Sequence, residues 1–339
     1  MDCFFSSSLI NPSFSIPGLF WKQKCFDWNN PPEYEYISLD GNVNSYVPLK
    51  TINFAKEVFP GGIEIVQSCN GLLLCRNFGF NEWNFTYYVF NPFTKQHKTL
   101  PRSQLRKCGF QYLFNFSLAF DPSRSPYYKV IAIWGDKLWA GDKYRIEVYS
   151  SETTLWRLCE DEYTLDAFPI PCVSATFWNG SLNWNADHGS VIYFVIDREL
   201  LGVVPRTPQQ RLRSSIDITD VTEYQGRFYL IERGYGGRFL NILEMDTAYT
   251  GWKVKCSVAL EQLKSFRKFE GSHPFDYILF IRNGEEDESS KLVVLTQGNM
   301  VLSYALNEMS FKRVYNISPQ RLLGRNCNFY QYIESLACV

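Results

Sequence analysis

Histidine is nearly missing from this chain. Only His97, His188 and His273 occur, and their wide separation argues against a His-rich metal site. An excess of either charge is missing too: 34 Lys+Arg stand against 35 Asp+Glu, a formal net charge of −1. That removes any global attraction to nucleic acid or to an anionic membrane. No apolar run approaches the roughly 20 residues of a membrane-spanning helix. The N-terminus is a poor secretion signal, because Asp2 is acidic, Ser6, Ser7 and Ser8 interrupt the apolar stretch, and Pro12 follows. The expected location is therefore intracellular, in the cytoplasm or nucleus. The ten cysteines contain no Cys-x-x-Cys pair, and Cys69 and Cys75 have poor zinc spacing. They read as buried, reduced thiols, and the Asn-x-Ser/Thr triplets at Asn84, Asn115, Asn179 and Asn316 carry no weight in such a compartment. Catalytic signatures are equally scarce: no Gly-x-Ser-x-Gly elbow, Walker loop or His-Glu-x-x-His is found. The chain is expected to hold no metal, no cofactor and no catalytic residue.

Aromatic residues are abundant: 27 Phe, 21 Tyr and 9 Trp, or 17% of the chain, within a hydrophobic fraction of 45%. Most apolar segments are short and rich in β-branched and aromatic residues. Examples are Tyr87-Tyr88-Val89-Phe90, Ile146-Glu147-Val148-Tyr149 and Ile192-Tyr193-Phe194-Val195-Ile196, a composition that predicts strands. Asn70-Gly71, Asn179-Gly180, Gln225-Gly226 and Asn283-Gly284 mark tight turns. The best helical candidate is one short segment, Val258 to Lys268.

A strand-then-turn unit recurs with anchors at Asn91, Ser150, Asp197, Asp246 and Asn307, spaced by 59, 47, 49 and 61 residues. A second element, an Asn-Gly or Gln-Gly turn, precedes three of these anchors by 21, 18 and 21 residues. A period near 50 residues with about four strands is the signature of a propeller blade. The expected fold is all-β, a single β-propeller of about six blades with few short helices. Five blades are clear; residues 18–68 supply a sixth, or pair with the last strand. The length suggests about two domains, and two β-sandwiches would need a linker. Pro205 to Ser215 is the nearest candidate and is short enough for an inter-blade loop.

Individual motifs read mostly as architecture. Trp178 and Trp184 flank Gly180, which suits a hairpin requiring positive φ; absent a bulge, both point to one strand face and pack between blades. Asn91-Pro92 and Asp121-Pro122 start turns through their side chains and the preset proline φ. Asp197 and Asp246 hold the equivalent place, so their repetition argues against paired catalytic carboxylates. The acidic run Gly284 to Ser290 reads as a solvated hairpin tip. Arg206, Arg211 and Arg213, with Pro205 and Pro208, read as an exposed loop able to fork onto an acidic or phosphorylated partner.

At these repeats the chain resembles a known family, the C-terminal associated domain of plant F-box proteins, of the kelch-like β-propeller type. The residues are Gln67 to Cys75, Tyr88-Val-Phe-Asn-Pro-Phe-Thr-Lys95 with Leu100-Pro101, Leu118 to Ser123 and Tyr128 to Ile131. Val148 to Thr153 with Trp156, Trp178 to Trp184, and Tyr332 to Leu336 complete the series, over roughly residues 9–336. The resemblance implies a segment that follows an F-box over residues 1–17 and an F-box-associated propeller over residues 18–339. The F-box itself, the helical unit that docks on the Skp adaptor of a cullin ligase, is expected to lie outside this chain. The implied function is target recognition for a Skp–cullin–F-box ubiquitin ligase, without catalysis. The implied partners are one or more target proteins and, through an F-box in the full-length protein, the Skp adaptor. Loop position and the Tyr, Trp and Arg enrichment of binding hot spots make Trp139, Tyr144, Arg206, Arg211, Arg213, Tyr235 and Arg238 the expected contacts. Two alternatives stand beside this: an F-box-less interaction propeller or decoy, and a propeller hydrolase, which needs two carboxylates about 5–10 Å apart.

Overall fold

The structure is a computed structural model. It describes residues 18–22, 32–38, 62–78, 85–103, 105, 112–135, 143–164, 174–186, 190–204, 207, 217–224, 226–233, 239–260, 275–282, 290–296, 300–305, 308–316 and 329–339. Twenty-four strands make up nearly all the regular structure among them. β1 (Gly18–Lys22) and β2 (Tyr34–Ser38) open the chain, and β24 (Phe329–Tyr332) ends it; they form one sheet in the order β2-β1-β24.

Between them run five antiparallel meanders, the blades of a β-propeller. Blade 1 is β3 (Ile63–Cys69), β4 (Leu72–Asn77), β5 (Tyr87–Asn91) and β6 (Gln96–Thr99). Blade 2 is β7 (Tyr112–Ala119), β8 (Lys129–Gly135), β9 (Lys143–Ser150) and β10 (Leu155–Leu158), with the short β11 (Tyr163–Thr164) also on β9. Blade 3 is β12 (Thr176–Trp178), β13 (Ser181–Ala186), β14 (Ser190–Val195) and β15 (Leu200–Val203). Blade 4 is β16 (Asp217–Tyr224), β17 (Arg227–Arg233), β18 (Phe239–Met245) and β19 (Trp252–Ala259). Blade 5 is β20 (Phe275–Arg282), β21 (Ser290–Thr296), β22 (Met300–Ala305) and β23 (Ser310–Asn316). Among the described residues, the expected count of about six thus resolves into five blades, each with a four-stranded meander, and one three-stranded sheet that pairs β1 with β24. The chain divides into two compact units, Met1–Gly180 with Asn328–Val339, and Ser181–Cys327.

The strand-then-turn anchors mark third turns, and the Asn-Gly or Gln-Gly repeat marks the first turns of blades 1, 3 and 4. Asn70 and Gly71, with φ of 45° and 88°, close β3 onto β4; Asn179 and Gly180, at 46° and 73°, do the same for β12 and β13. Both central residues have positive φ, the turn whose twist matches paired strands and which Asn-Gly favours. Trp178 and Trp184 therefore lie on different strands, since the hairpin separates them, yet both are buried as expected for core residues. The third turns are four residues long in four blades, and each ends on a left-handed residue: Lys95, Thr154, Glu199 and Met309. Asn91 and Ser150 are the last strand residues before such turns, whereas Asp197 is the second turn residue. The helical candidate begins inside a strand, because β19 runs through Ala259; its remainder and Asn307 lie outside the described residues.

Four inner strands share a feature that no motif announces. β3, β7, β16 and β20 each shift register by one residue against the next strand, between Ile65 and Gln67, Leu113 and Asn115, Ile218 and Asp220, and Phe275 and Tyr277. Such bulges sharpen local twist. After the first of them, Gln67 spans to blade 2: its Nε2 donates to the Leu118 carbonyl at 2.9 Å, and its Oε1 accepts from the Leu118 N–H at 2.7 Å.

The aromatics fill wedges between neighbouring sheets. Blade 1 is buried on both faces, so β4 reads Leu72-Leu73-Leu74-Cys75 without alternation. Leu72 and Leu74 pack with Leu118, Val130 and Ala132 of blade 2, while Leu73 and Cys75 pack with Phe20, Tyr330 and Tyr332 of the terminal sheet. Tyr87 of blade 1 stacks on Phe116 of blade 2 at 3.9 Å between centroids, and Phe20 meets Tyr332 at 5.1 Å. Each such large side chain contributes about 1.5–3 kcal/mol by leaving water. Cys69, Cys75 and Cys159 are buried thiols outside any disulfide, and burial alone pushes the Cys75 thiol far above its usual range.

In the second unit, Tyr249 locks blade 4 to blade 3. It holds a left-handed φ of 59°, stacks on Tyr193 at 4.6 Å and donates its hydroxyl to Oδ1 of the buried Asn183 at 3.1 Å. Tyr249→Phe is expected to lower unfolding free energy by about 1–2 kcal/mol. A urea midpoint that moves while the slope stays constant would be the sign of it.

Candidate partner-binding surface

Each meander has two distinct ends. One carries its first and third turns; the other carries its second turn and the exit to the next sheet. The first end is tied down by its own side chains. Asp121 accepts from the Ser123 N–H through Oδ1 at 3.0 Å and pairs with Arg124 at 3.3 Å, and Arg124 reaches Oδ1 of Asn179 at 3.2 Å. Asp246 accepts from the Ala248 and Thr250 amides at 3.0 and 2.8 Å, with the Thr250 hydroxyl bond the largest of the effects holding its carboxyl below the usual range. Both aspartates are turn caps, as expected of Asp121-Pro122 as a turn start and of Asp246 as its repeat equivalent.

Asn91 does more. Its Oδ1 caps its own turn by accepting from the Phe93 and Thr94 amides at 2.9 and 3.2 Å. Its Nδ2 donates to the carbonyls of Ser335 and Ala337 at 2.9 and 2.8 Å, and the residue is fully buried. The segment from Ile333 onward is thereby stapled across blade 1. Its Ser335 lies where any Cβ on Gly71 would stand, 2.4 Å away.

Glutamates brace the second end. Glu64 accepts from Lys22 Nζ at 2.7 Å and from Arg76 Nε at 2.7 Å, and Arg76 lies over the Phe85 ring at 4.2 Å. Burial acts to raise the Glu64 pKa, but the charges of Arg76 and Lys22 outweigh it and hold the carboxyl below its ordinary value. Glu147 is buried in β9 and accepts from the Ser103 hydroxyl and from the Leu105 N–H at 3.2 Å, both in the chain leaving blade 1. Glu232 is fully buried in β17 and accepts from the Thr207 hydroxyl at 3.0 Å, in the chain leaving blade 3, and from Asn241 Nδ2 at 3.4 Å. Burial raises its pKa, and those two bonds offset the rise only in part. In the same chain leaving blade 1, the Pro101 carbonyl accepts from Trp156 Nε1 at 2.7 Å. Connectors fixed in this way lose less entropy on meeting a partner.

Of the expected contact residues, the described residues reach only Tyr144. Trp139, Arg206, Arg211, Arg213, Tyr235 and Arg238 lie outside the described residues, in the segments that join β8 to β9, β15 to β16 and β17 to β18. Tyr144 is corrected: it is a core residue, 1% exposed, in the first turn of pairing in β9. It stands opposite Gly135 and Tyr163, and its ring meets Phe114 edge-on at 5.5 Å. The bracing glutamates were missed because alternation assigned them outward, whereas a neighbouring sheet covers both faces of a blade. The only signal was a single Glu inside each of the runs Ile63-Glu-Ile65, Ile146-Glu-Val148 and Leu230-Ile-Glu232. Among the described residues no three His, Cys, Asp or Glu side chains converge to hold a metal ion. No helix among them is long and apolar enough to cross a membrane.

Blades of four antiparallel strands with braced connectors define the class: an all-β propeller. The model of the F-box associated beta propeller domain matches residues 33–222. The F-box protein At5g07610 of Arabidopsis thaliana is 30% identical over 346 residues, which cover 91% of this chain and 78% of that protein. The F-box/kelch-repeat protein At3g23880 of the same plant is 25% identical over 143 residues, 40% of this chain and 36% of that protein. Among solved structures, TolB from Acinetobacter baumannii aligns at 11% identity with a TM-score of 0.50, covering 96% of this chain and 68% of that one; this is a likeness of fold alone. The chain belongs to the F-box associated β-propeller family.

Proposed function

We propose that this chain is the target-binding half of a Skp–cullin–F-box ubiquitin ligase receptor. The observation that carries the reading is the 30% identity to an Arabidopsis F-box protein across 91% of the chain. Catalysis has no part in it: the buried glutamates with described contacts serve to hold connectors, and the work is positional. A target held on the propeller stands near the ubiquitin-loaded enzyme at high effective concentration. Trp139, Arg206, Arg211, Arg213, Tyr235 and Arg238 are the proposed contacts, on loops over a rigid scaffold. Adaptor binding belongs to an F-box of the full-length protein, and the complex works inside the cell.

The test is co-purification of the full-length protein with Skp adaptor and cullin, followed by the half-life of proteins crosslinked to the propeller. Retention of the adaptor and shortened target half-lives are expected. Arg206→Glu together with Arg211→Glu and Arg213→Glu is expected to keep the adaptor and weaken target capture by about tenfold or more. Absence of adaptor binding, or targets that live longer in its presence, would overturn the ligase role and leave a decoy.

A further inference from the structure

An exposed outer strand offers unpaired N–H and C=O groups to any passing chain, and proteins guard such edges with charge. Among the described outermost strands of four residues or more, five of six follow this rule. β2 carries Glu35, β6 Lys98, β10 Arg157, β19 Lys253 and Lys255, and β23 Lys312 and Arg313. β15 is the exception. It reads Leu200-Leu-Gly-Val203 with no charge, and Leu200 and Val203 are 50% and 44% exposed.

Its hydrogen-bond phase is set by one contact. The Val204 N–H donates to the Val191 carbonyl at 2.7 Å, continuing the register in which Ile192 faces Val203 and Val195 faces Leu200. In an antiparallel ladder, bonded and non-bonded pairs alternate. Leu200, Gly202 and Val204 therefore bond to β14, and Leu201 and Val203 turn their N–H and C=O groups to the free edge. The strand is also held rigid. Tyr193 covers Gly202 so closely that a Cβ there would stand 2.6 Å from its ring, and Tyr249 stacks on Tyr193.

We infer that the β15 edge is a docking site for an extended, uncharged segment of a partner protein, which adds to blade 3 as a fifth strand. Two donors and two acceptors, from Leu201 and Val203, hold its backbone, and Leu200 and Val203 contact its apolar side chains. A charged segment is disfavoured because β15 itself carries no charge to receive it, Arg198 and Glu199 lying in the turn before it. A second copy is disfavoured by size: four residues span about 13 Å, and a stable dimer needs about 1,000 Å² of buried surface. The inference is independent of coupling to a ligase.

The test uses the whole chain and a blocked nonapeptide of alternating threonine and valine, followed by hydrogen exchange and by fluorescence anisotropy. Saturable binding with slowed exchange at residues 201 and 203 is expected. Val203→Pro removes one outward N–H without touching the ladder to β14, and Val203→Lys restores the guard that the other edges have. Each is expected to weaken binding about tenfold with the melting midpoint unchanged; if the proline variant fails to fold, the lysine variant decides. Three results would overturn the inference: binding without protection at 201 and 203, binding insensitive to Val203→Lys, or concentration-dependent self-association abolished by Val203→Lys.

Discussion

Asn91→Ala is expected to lower the unfolding free energy by about 3–4 kcal/mol and to release the segment from Ile333 onward. The side chain is fully buried and makes four hydrogen bonds, two to its own turn and two to carbonyls more than 240 residues away. Removing it strands two part-buried amides and two buried carbonyls, and a buried group left unpaired costs about 1–3 kcal/mol, though not additively. Asn91→Asp is expected to be no milder. It keeps the acceptor for the turn but sets a carboxylate against the carbonyls of Ser335 and Ala337. Gly71→Ala should reach the same end from another strand. Its φ of 88° disfavours any side chain, and the new Cβ would meet Ser335 Cβ at 2.4 Å and the Ile333 carbonyl at 2.7 Å. Hydrogen exchange and limited proteolysis over residues 333–339 check both. Unchanged protection of that segment in either variant would show that the staple is not what holds it.

Two glutamates, the half-buried Glu64 and the fully buried Glu232, should respond to pH with opposite signs. Glu64 sits between Lys22 and Arg76, and its pKa is lowered: burial pulls it up, and the two cations pull it down further. Its folded value lies below the unfolded one. Its stabilisation is therefore present above the unfolded pKa and is lost as pH falls through the folded value. Glu64→Gln leaves two partly buried cations without a counter-charge and is expected to cost about 2–3 kcal/mol near pH 7, with less cost in acid. Glu232 has the opposite sign. Burial raises its pKa, with only Thr207 and Asn241 to offset it. The protonated form is favoured in the fold, so stability falls as pH rises from the unfolded value through the folded one. Glu232→Gln keeps the shape and removes the charge, and is expected to be neutral or stabilising by up to about 1 kcal/mol near pH 8. Urea midpoints measured from about pH 4 to pH 8 separate the two. The same slope for both variants would refute this assignment.

Much of the architecture was legible in advance. Asn70-Gly71 and Asn179-Gly180 named the first turns of blades 1 and 3, because only certain residues tolerate two positive φ values in succession. The anchors at Asn91, Ser150 and Asp246 marked third turns, and the Leu100-Pro101 and Trp156 motifs, 55 residues apart, meet through one hydrogen bond. Asp197 falls two positions beyond the last strand residue, Val195, since its turn begins at Ile196; the repeat aligns residue types, not registers. Tyr144 was misjudged for a related reason. It sits beside a loop in sequence, yet the pairing of β9 with β8 and β11 carries it into the core. Glu147 and Glu232 were invisible because alternation gives the face of a strand and not what covers that face.

Local chemistry in the sequence was enough to determine the strands, their hairpins, the 50-residue period and the family, since each depends on residues within a few positions of one another. Tertiary structure alone decided the rest. It paired β1 with β24, set Gln67 against the Leu118 backbone, hung the final segment on Asn91, tied connectors to buried glutamates and left β15, among the described outer strands of four residues or more, as the one without charge. Those outcomes depend on groups tens to hundreds of residues apart meeting at hydrogen-bonding distance, and no local pattern encodes such a meeting.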